Sequence, residues 1–246
     1  MSIDYSVIIP LKDEEENIEE LIEELEPVMQ GLGPDHPWEL ICVDDGSTDR
    51  TLLILQELCK IKPYLRVLAF TQNFGQSSGF AAGFQAARGR YLITLDGDRQ
   101  NDPADIPKLT AAIAENDLVV GWRVNRRDPF EKKIISKISN TIRRYCCHDG
   151  IHDTGCSLKV YRKEALEKIK MYHGMHRFLP ALFKIEGLRV KEIPVRHRER
   201  AKGKTKYHLL NRSLGPILDM FVVRWMRRRH LKHQIREEFS HTHDSR

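Results

Sequence analysis

Short apolar runs alternate with amphipathic stretches along the first half of the chain. Five runs of five or six residues are mostly apolar, which is typical of strands buried in a sheet. The predicted strands are Tyr5–Pro10, Trp38–Val43, Leu65–Phe70, Tyr91–Leu95 and Asp117–Gly121. Between the first two, apolar residues fall on one helical face at Ile18, Leu21, Ile22 and Leu25. This alternation predicts an α/β domain with a doubly wound, mostly parallel sheet.

Glycines mark one of the predicted helices. The helix from Ser77 to Arg88 carries Gly79 and Gly83 one turn apart. Glycine lowers the stability of a helix, so it is usually found there where a neighbouring backbone comes close. We therefore expect this helix to pack tightly against the Tyr91–Leu95 strand.

The second half of the chain continues the pattern with shorter elements. Ser157–Tyr161 alternates like a strand, and Lys163–Ile169 follows as a short helix. His176–Ile185 is predicted to be helical and Val190–Val195 to be the last strand. The proline in this last run predicts that it lies at an edge of the sheet.

The composition fits one large domain, or one domain with an appendage. The chain has 246 residues, of which 41% are hydrophobic and 30% charged. A strand begins within a few residues of Met1, so we expect no signal peptide, and no apolar run is long enough to cross a bilayer. The odd count of five cysteines predicts free thiols in a reducing compartment, the cytoplasm.

The charge is unevenly distributed along the chain. The formal net charge is only +5, but Lys and Arg are dense between Arg196 and Arg236, which predicts an anionic partner for this part. A main domain is expected over residues 1–207. Residues 208–236 are predicted to form an amphipathic basic helix, which either lies on an anionic membrane surface or docks on its own domain. Residues 237–246 are predicted to be a disordered tail.

Polar or charged side chains follow four of the predicted strands. They are Asp44 and Asp45, Asn73 and Gln76, Asp96 and Asp98, and Arg123. In open α/β sheets, ligands bind beyond the carboxyl ends of the strands, so these side chains are expected to form one site. Asp96, Asp98 and Gln100 offer the hard oxygen donors that Mg²⁺ or Mn²⁺ prefers alongside substrate phosphates.

An ordered series of motifs extends from about Tyr5 to Tyr207. It comprises Val7–Pro10 with Asp13–Glu15, Val43–Asp49, Asn73–Gln76, Leu95–Pro103, Asn125–Asp128, Asp153–Arg162, Phe178–Pro180 and Arg200–Tyr207. In this order the motifs resemble those of family 2 glycosyltransferases with the GT-A fold. Within that family the chain is most similar to the polyprenyl-phosphate glycosyltransferases, the group that includes dolichyl-phosphate mannose synthase and bacterial undecaprenyl-phosphate sugar transferases.

The resemblance implies a role for each matching position. The nucleotide is expected to contact Pro10, Asp13, Glu14, Asp44, Asp45, Asn73, Gln76, Asp96 and Gly97. The divalent ion, Mg²⁺ or Mn²⁺, is expected to bind Asp98 and Gln100 with Asp96. The catalytic residues are expected to be Asp96, Asp98, Arg123 and Asp153, the last of them beside the transferred sugar. Phosphate groups of the acceptor or donor are expected to meet Arg123, Arg126, Lys133, Ser136, Arg200, Lys204 and Lys206.

The reaction that the resemblance implies is metal-dependent, inverting transfer of a hexose. The donor is expected to be a GDP- or UDP-sugar and the acceptor dolichyl or undecaprenyl phosphate. An anionic acceptor needs cations to guide it and no general base. A hydroxyl acceptor would need a base, and Asp153 is then the natural one. A saccharide or protein hydroxyl therefore stays open as the alternative acceptor.

Two other classes of protein fit the residues less well. A sugar nucleotidyltransferase needs a glycine-rich phosphate loop after the first strand, which Pro10–Asp13 does not offer. A basic module that binds nucleic acid would leave the acids at the strand ends unexplained, and its basic region carries few aromatic residues. The expected partners are therefore a nucleotide sugar, a polyprenyl phosphate and the cytoplasmic face of a membrane, with no nucleic acid. A homo-oligomer is left open.

Overall fold

A seven-stranded mixed sheet forms the centre of the fold. The computed structural model describes residues 3–124, 149–199 and 214–231, together with Arg143, Cys146 and Cys147. The strands are β1 (Tyr5–Leu11), β2 (Trp38–Asp44), β3 (Leu65–Ala69), β4 (Tyr91–Thr94), β5 (Leu118–Arg123), β6 (Lys159–Arg162) and β7 (Val190–Val195). Their order across the sheet is β3-β2-β1-β4-β6-β5-β7, and only β6 is antiparallel to its neighbours. The predicted mixed, mostly parallel sheet is confirmed.

Helices pack on both faces of the sheet. They are α1 (Ile18–Gln30), α2 (Thr51–Ile61), α3 (Gln76–Ala86), α4 (Ile106–Ala112), α5 (Lys163–Leu166), α6 (Leu179–Ile185) and α7 (Leu214–Arg229). One apolar core joins α1, α2 and α4 to the sheet, and a second core joins α3, α5, α6 and α7 to the other face. The predicted face of α1 is confirmed, because Ile18, Leu21, Ile22 and Leu25 are all buried.

The half of the sheet that contains β4, β6, β5 and β7 departs from a simple parallel order. β6 lies between β4 and β5 and pairs antiparallel with both. β5 runs two residues beyond Gly121, because Trp122 and Arg123 pair with Pro194 and Val195 of β7. The predicted end of this strand at Gly121 is therefore wrong. The predicted edge position of β7 is confirmed.

The glycines of α3 allow close packing, but on a different strand from the one predicted. A Cβ atom at Gly79 would lie 2.9 Å from Pro10 Cβ, and one at Gly83 would overlap Ile8 Cγ2. Both neighbours belong to β1, so the expected packing on β4 is wrong. The physical reason is the right-handed crossover from β3 to β4, which carries α3 over the two strands that lie between them.

The C-terminal helix α7 has one docked side and one exposed side. Met220 and Val223 are buried in the core that contains α6. The opposite side exposes the apolar side chains of Ile217, Leu218, Phe221, Val222 and Trp225. Docking on its own domain therefore accounts for one side of α7 only. Within the described ranges, no helix combines the length and apolar composition that crossing a bilayer requires.

Candidate active site

Asp44 and Asp45 lie together at the end of β2, but their carboxylates have different surroundings. Both side chains are buried. Asp45 accepts the backbone N–H groups of Phe74 at 2.6 Å and Gly75 at 2.9 Å, and so positions the loop after β3. Asp44 Oδ2 accepts the Ser47 N–H at 3.2 Å, whereas Asp44 Oδ1 is buried without a hydrogen-bond partner among the described residues. Because such an oxygen is costly, Asp44 is the member of the pair that is open to a ligand.

The loop after β1 is tied to the loop after β2. Asp13 Oδ1 accepts the Thr48 backbone N–H at 2.7 Å, and the Asp13 N–H donates to Ser47 Oγ at 2.9 Å. Gly46 has a φ of +65°, and a Cβ atom there would collide with the backbone after β3. The two loops therefore form one wall beside Asp44.

The Asp-x-Asp motif follows β4 directly. Asp96 Oδ1 accepts a hydrogen bond from Gln76 Nε2 of α3 at 2.7 Å, and Asp98 is only 8% exposed. Gly97 lies against the last residue of β1, since a Cβ atom at Gly97 would overlap the Leu11 side chain. Burial, and then the neighbouring Asp98 carboxylate, raise the pKa of Asp96. The motif is thus anchored against both β1 and α3.

The donors of this motif fit a divalent cation. A buried carboxylate whose pKa is raised by a second carboxylate is one that a cation would stabilise. In the part of the chain that the structure describes, no group of three or more His, Cys, Asp or Glu side chains could hold a metal ion. The protein would therefore hold the ion through few groups, Asp98 with Asp96 and Gln100. Substrate phosphates and water would complete a shell of the kind that Mg²⁺ or Mn²⁺ adopts.

An ion-pair network fixes the backbone of the Asp-x-Asp loop. Arg99 has a φ of +60°, which is uncommon for a residue with a side chain. Its guanidinium pairs with Glu20 and Glu24 of α1. Glu24 also accepts a bond from Arg198 at 2.6 Å, and the Arg198 N–H donates to the Gln100 carbonyl at 3.0 Å. The acidic face of α1 therefore positions the loop that carries the candidate metal ligands.

Arg123 and Asp153 form a buried, bidentate ion pair. Arg123 Nε donates to Asp153 Oδ2 at 2.7 Å, and Nη2 donates to Oδ1 at 2.9 Å. The two side chains are 13% and 6% exposed. The sequence predicts both residues as parts of the site, but not that they bind each other. A bidentate pair of this kind fixes the orientation of both groups and occupies both Asp153 oxygens.

Glu192 of β7 holds the loop that carries Asp153. Glu192 Oε1 accepts the backbone N–H groups of His152 at 2.8 Å and Asp153 at 3.1 Å, and Oε2 lies 2.8 Å from His152 Nδ1. The His152 ring stacks on Trp122 of β5, with 4.5 Å between ring centroids. Sequence reasoning missed Glu192, because the sequence of β7 does not indicate that this strand contacts the loop of His152 and Asp153.

Two further basic side chains, Lys159 and His176, are buried close to each other. Lys159, the first residue of β6, is 5% exposed, and burial lowers its pKa. His176 Nδ1 lies 2.6 Å from Ser77 Oγ, and burial lowers the pKa of His176 to about 3, so its imidazole is neutral at physiological pH. Sequence reasoning assigned no role to either. The available signal for Lys159 was its place in the Asp153–Arg162 motif.

Asn101 connects the two ends of the site and was also missed. Its Oδ1 accepts the Asp96 N–H at 3.3 Å and the Ser157 hydroxyl at 2.6 Å. Thr94 Oγ1 donates to the Ser157 carbonyl at 2.6 Å. Asn101 lies within the Leu95–Pro103 motif, which was its only signal.

The predicted site residues therefore fall into four groups. The structure brings together the acids of β2 and β4, and it joins Arg123 to Asp153. Other predicted nucleotide contacts surround these groups: Pro10 lies against α3, Glu14 accepts a bond from Asn17, and Asn73 is exposed in the loop after β3. The remaining predicted phosphate contacts lie outside the described residues, namely Arg126, Lys133, Ser136, Arg200, Lys204 and Lys206.

Comparison with protein families identifies the domain. The profile named Glycosyl transferase family 2 matches residues 6–170, which span β1 to β6 and include the Asp-x-Asp motif and Asp153. The chain belongs to glycosyl transferase family 2. Its predicted family is thereby confirmed.

Curated relatives extend the similarity beyond the family match. Dodecaprenyl-phosphate galacturonate synthase of Rhizobium johnstonii is 39% identical over 233 residues, covering 92% of this chain and 68% of that protein. Undecaprenyl-phosphate 4-deoxy-4-formamido-L-arabinose transferase of Pectobacterium carotovorum is 38% identical over 208 residues, covering 83% and 63%. The chain thus spans about two thirds of the length of these relatives.

Solved structures of low sequence identity share the fold of this family 2 chain. A mannosyltransferase of Pyrobaculum calidifontis, solved with GDP-Man and Mn²⁺, has a TM-score of 0.63 at 19% identity, covering 85% of this chain and 60% of that one. Glucosyl-3-phosphoglycerate synthase of Mycobacterium tuberculosis, solved with Mn²⁺, UDP and glucosyl-3-phosphoglycerate, has a TM-score of 0.64 at 18% identity, covering 92% and 80%. The predicted GT-A fold is confirmed.

Proposed function

We propose that this chain transfers a sugar from a nucleotide sugar to a polyprenyl phosphate, with inversion at the anomeric carbon. The observation that carries the proposal is the side-by-side placement of the Asp-x-Asp acids after β4 and the neutralised Arg123–Asp153 pair at the end of β5. The names of the two curated relatives, both polyprenyl-phosphate enzymes, support this acceptor class.

The donor nucleotide is assigned to the end of β1, β2 and β4. Asp44 Oδ1 would accept a hydrogen bond from the nucleoside, which would satisfy its buried oxygen. A divalent ion held by Asp98, with Asp96 and Gln100, would supply positive charge to the diphosphate as the sugar departs. Gln76 and Asn101 keep the Asp96 region in place for this role.

The acceptor is assigned to a phosphate because Asp153, the natural base for a hydroxyl, is bound by Arg123 through both oxygens. A phosphate monoester is already anionic at neutral pH and needs no proton removed before it attacks. In one step its oxygen would form a bond to the anomeric carbon while the bond from that carbon to the diphosphate breaks. The products are a lipid-phosphate sugar and a nucleoside diphosphate. Asp153, held through both oxygens by Arg123, is suited to orientation and not to proton transfer.

The exposed stripe of α7 is assigned to the membrane that holds the lipid. Phe221 and Trp225 are 58% and 62% exposed, and Arg227 to Arg229 follow at the end of the helix. Apolar side chains flanked by basic ones are typical of helices that lie on anionic membrane surfaces. On this proposal the protein works as a peripheral enzyme at the cytoplasmic face.

A transfer assay tests the proposed reaction. The full chain is mixed with Mn²⁺, undecaprenyl phosphate in detergent and a panel of UDP- and GDP-linked sugars, and the product is recovered by organic extraction. We expect labelled sugar in the lipid phase with at least one donor, and its loss on addition of EDTA. Transfer only to a soluble saccharide, or no transfer with any donor, would contradict the proposal.

A vesicle-binding assay tests the membrane assignment separately. Trp225→Ser is expected to weaken binding to vesicles that contain phosphatidylglycerol by about tenfold, since it removes a large apolar surface from the interface. Leu53→Ser in α2 is the matched control, because Leu53 is 51% exposed on another helix. Equal binding by both variants and the unmodified chain would contradict a membrane role for α7.

A further inference from the structure

Lys159 is a buried lysine of the candidate site that no described residue binds through a hydrogen bond or an ion pair. Lys159 is only 5% exposed and begins β6, opposite Thr94 of β4 and Val120 of β5. Thr94 is two residues before Asp96, so this ammonium group belongs to the same end of the sheet as the Asp-x-Asp motif. No hydrogen bond or ion pair joins it to any residue in the described ranges.

The acids nearest to Lys159 are already bound by other groups. Asp96 and Asp153 both act on its charge, yet neither lies within ion-pair distance of it. Asp153 is held by Arg123 through both oxygens. Asp96 accepts a hydrogen bond from Gln76. The ammonium group therefore lies near two acids but forms an ion pair with neither of them.

An unpartnered buried ammonium is expensive, so its presence needs a reason. Lysine is almost never fully buried unless it is paired. Burial lowers the pKa of Lys159, and the nearby charges of Asp96 and Asp153 offset only part of that effect. The arrangement is therefore explained by an anion that arrives from outside the protein.

We propose that Lys159 is a further substrate-binding residue, which binds a phosphate oxygen of a bound substrate. The inference rests on the proposed function, because that reaction brings two phosphate groups to this end of the sheet. The donor diphosphate and the acceptor phosphate share the chemistry that Lys159 would recognise. Its ammonium would add a positive charge close to Asp96 and Asp153.

The decisive variant is Lys159→Met, which removes the charge and keeps a side chain of similar length. Lys60→Met is the matched control, because Lys60 is exposed and pairs with Glu57 outside the site. For each chain, the affinities for UDP and for GDP with Mn²⁺ are measured by calorimetry. The KM for undecaprenyl phosphate is measured in the transfer assay, and stability by urea denaturation.

For Lys159→Met, we expect either the nucleotide affinity to fall or the KM for undecaprenyl phosphate to rise, by about ten- to hundredfold. A loss in nucleotide affinity would identify the donor diphosphate as the partner, and an increase in KM for the lipid would identify the acceptor. The urea midpoint is expected to stay the same or rise, since no native contact of the ammonium is lost. Lys60→Met is expected to match the unmodified chain in all three measurements.

Other results would overturn the proposal. A Lys159→Met chain that is less stable, or that fails to fold, would show that the lysine supports the structure. Unchanged affinity and KM in a folded variant would show that it meets no phosphate. If the unmodified chain binds neither nucleotide and transfers no sugar, the proposed function itself fails and the role of Lys159 with it. That result is distinct from a defect confined to the variant.

Discussion

The two ends of the candidate site satisfy their charges in opposite ways. At the β2–β4 end, Asp44 has a buried oxygen with no donor among the described residues, and Asp96 has a pKa raised by burial and by Asp98. At the β5–β6 end, Arg123 and Asp153 neutralise each other through two hydrogen bonds. We call the first the incomplete end and the second the complete end, because the Arg123–Asp153 pair is already formed in the free protein. Lys159 lies near this pair but is not part of it.

This difference bears on the chemistry of the acceptor. A group that is to remove a proton must be able to take one, and a carboxylate bound by a guanidinium through both oxygens is poorly suited to that task. A nucleophile that arrives with its own negative charge avoids the need. The contrast between the two ends thus favours a phosphate acceptor over a hydroxyl.

The largest expected effect on stability comes from breaking the Arg123–Asp153 ion pair of the complete end. Asp153→Asn leaves the Arg123 guanidinium buried without its counter-charge, which should lower the free energy of unfolding by about 3–5 kcal/mol. Urea denaturation measures this loss. Glu57→Gln, which breaks an exposed pair with Lys60, is the control and should change stability by less than about 1 kcal/mol. Equal effects of the two substitutions would mean that the buried pair does not matter.

The next effect comes from the incomplete end. Asp98→Asn should lower turnover with Mn²⁺ by at least about 100-fold, because it removes the charge that would hold the ion at the leaving diphosphate. Its stability should not fall, since the substitution relieves repulsion between Asp98 and Asp96. Steady-state kinetics across a Mn²⁺ titration measures the loss, and full activity of the variant would exclude Asp98 as a metal ligand.

A smaller effect separates Asp44 from Asp45. Asp44→Asn should weaken binding of UDP or GDP by about tenfold, because a ligand donor loses a charged acceptor, while the fold keeps its stability. Asp45→Asn should instead lower stability, since Asp45 holds the N–H groups of Phe74 and Gly75. Calorimetry and urea denaturation on both variants measure the split. The same pattern in both would remove the distinction between an open and a structural acid.

The smallest expected effect comes from Glu192, which holds the Asp153 loop at the complete end. Glu192→Gln keeps an oxygen near His152 and Asp153 but removes the negative charge that binds their N–H groups. We expect a loss of about 1 kcal/mol in the free energy of unfolding and a severalfold loss of turnover. Lys191→Gln, the neighbouring residue of the same strand, is the control. An unchanged Glu192→Gln enzyme would show that the Asp153 loop holds its position unaided.

Much of the incomplete end could be predicted from the sequence, and less of the complete end. Asp44, Asp96 and Asp98 each follow an apolar strand directly, so the parallel sheet that the pattern predicts already brings them together. Arg123 and Asp153 are predicted one by one, but their contact depends on β6 inserting between β4 and β5. No local pattern encodes that long-range pairing.

Lys159 and Glu192 were missed for the same reason, because their roles depend on long-range contacts. Lys159 belongs to a strand whose alternation shows two faces but not what each face meets. Glu192 binds a loop about forty residues earlier in the chain, as its hydrogen bond to His152 shows. The misplaced packing of α3 is another case, because the helix spacing revealed the close contact at Gly83 but not the strand that makes it.

The measurement that tests the account most directly compares two acceptors that differ by one phosphate. The unmodified chain and Asp153→Asn are each supplied with the same nucleotide sugar, Mn²⁺ and either undecaprenyl phosphate or undecaprenol. The account predicts transfer to the phosphate alone, with folded Asp153→Asn protein still active on it. Transfer to undecaprenol that disappears in Asp153→Asn would show that Asp153 removes a proton from a hydroxyl, and would contradict the account.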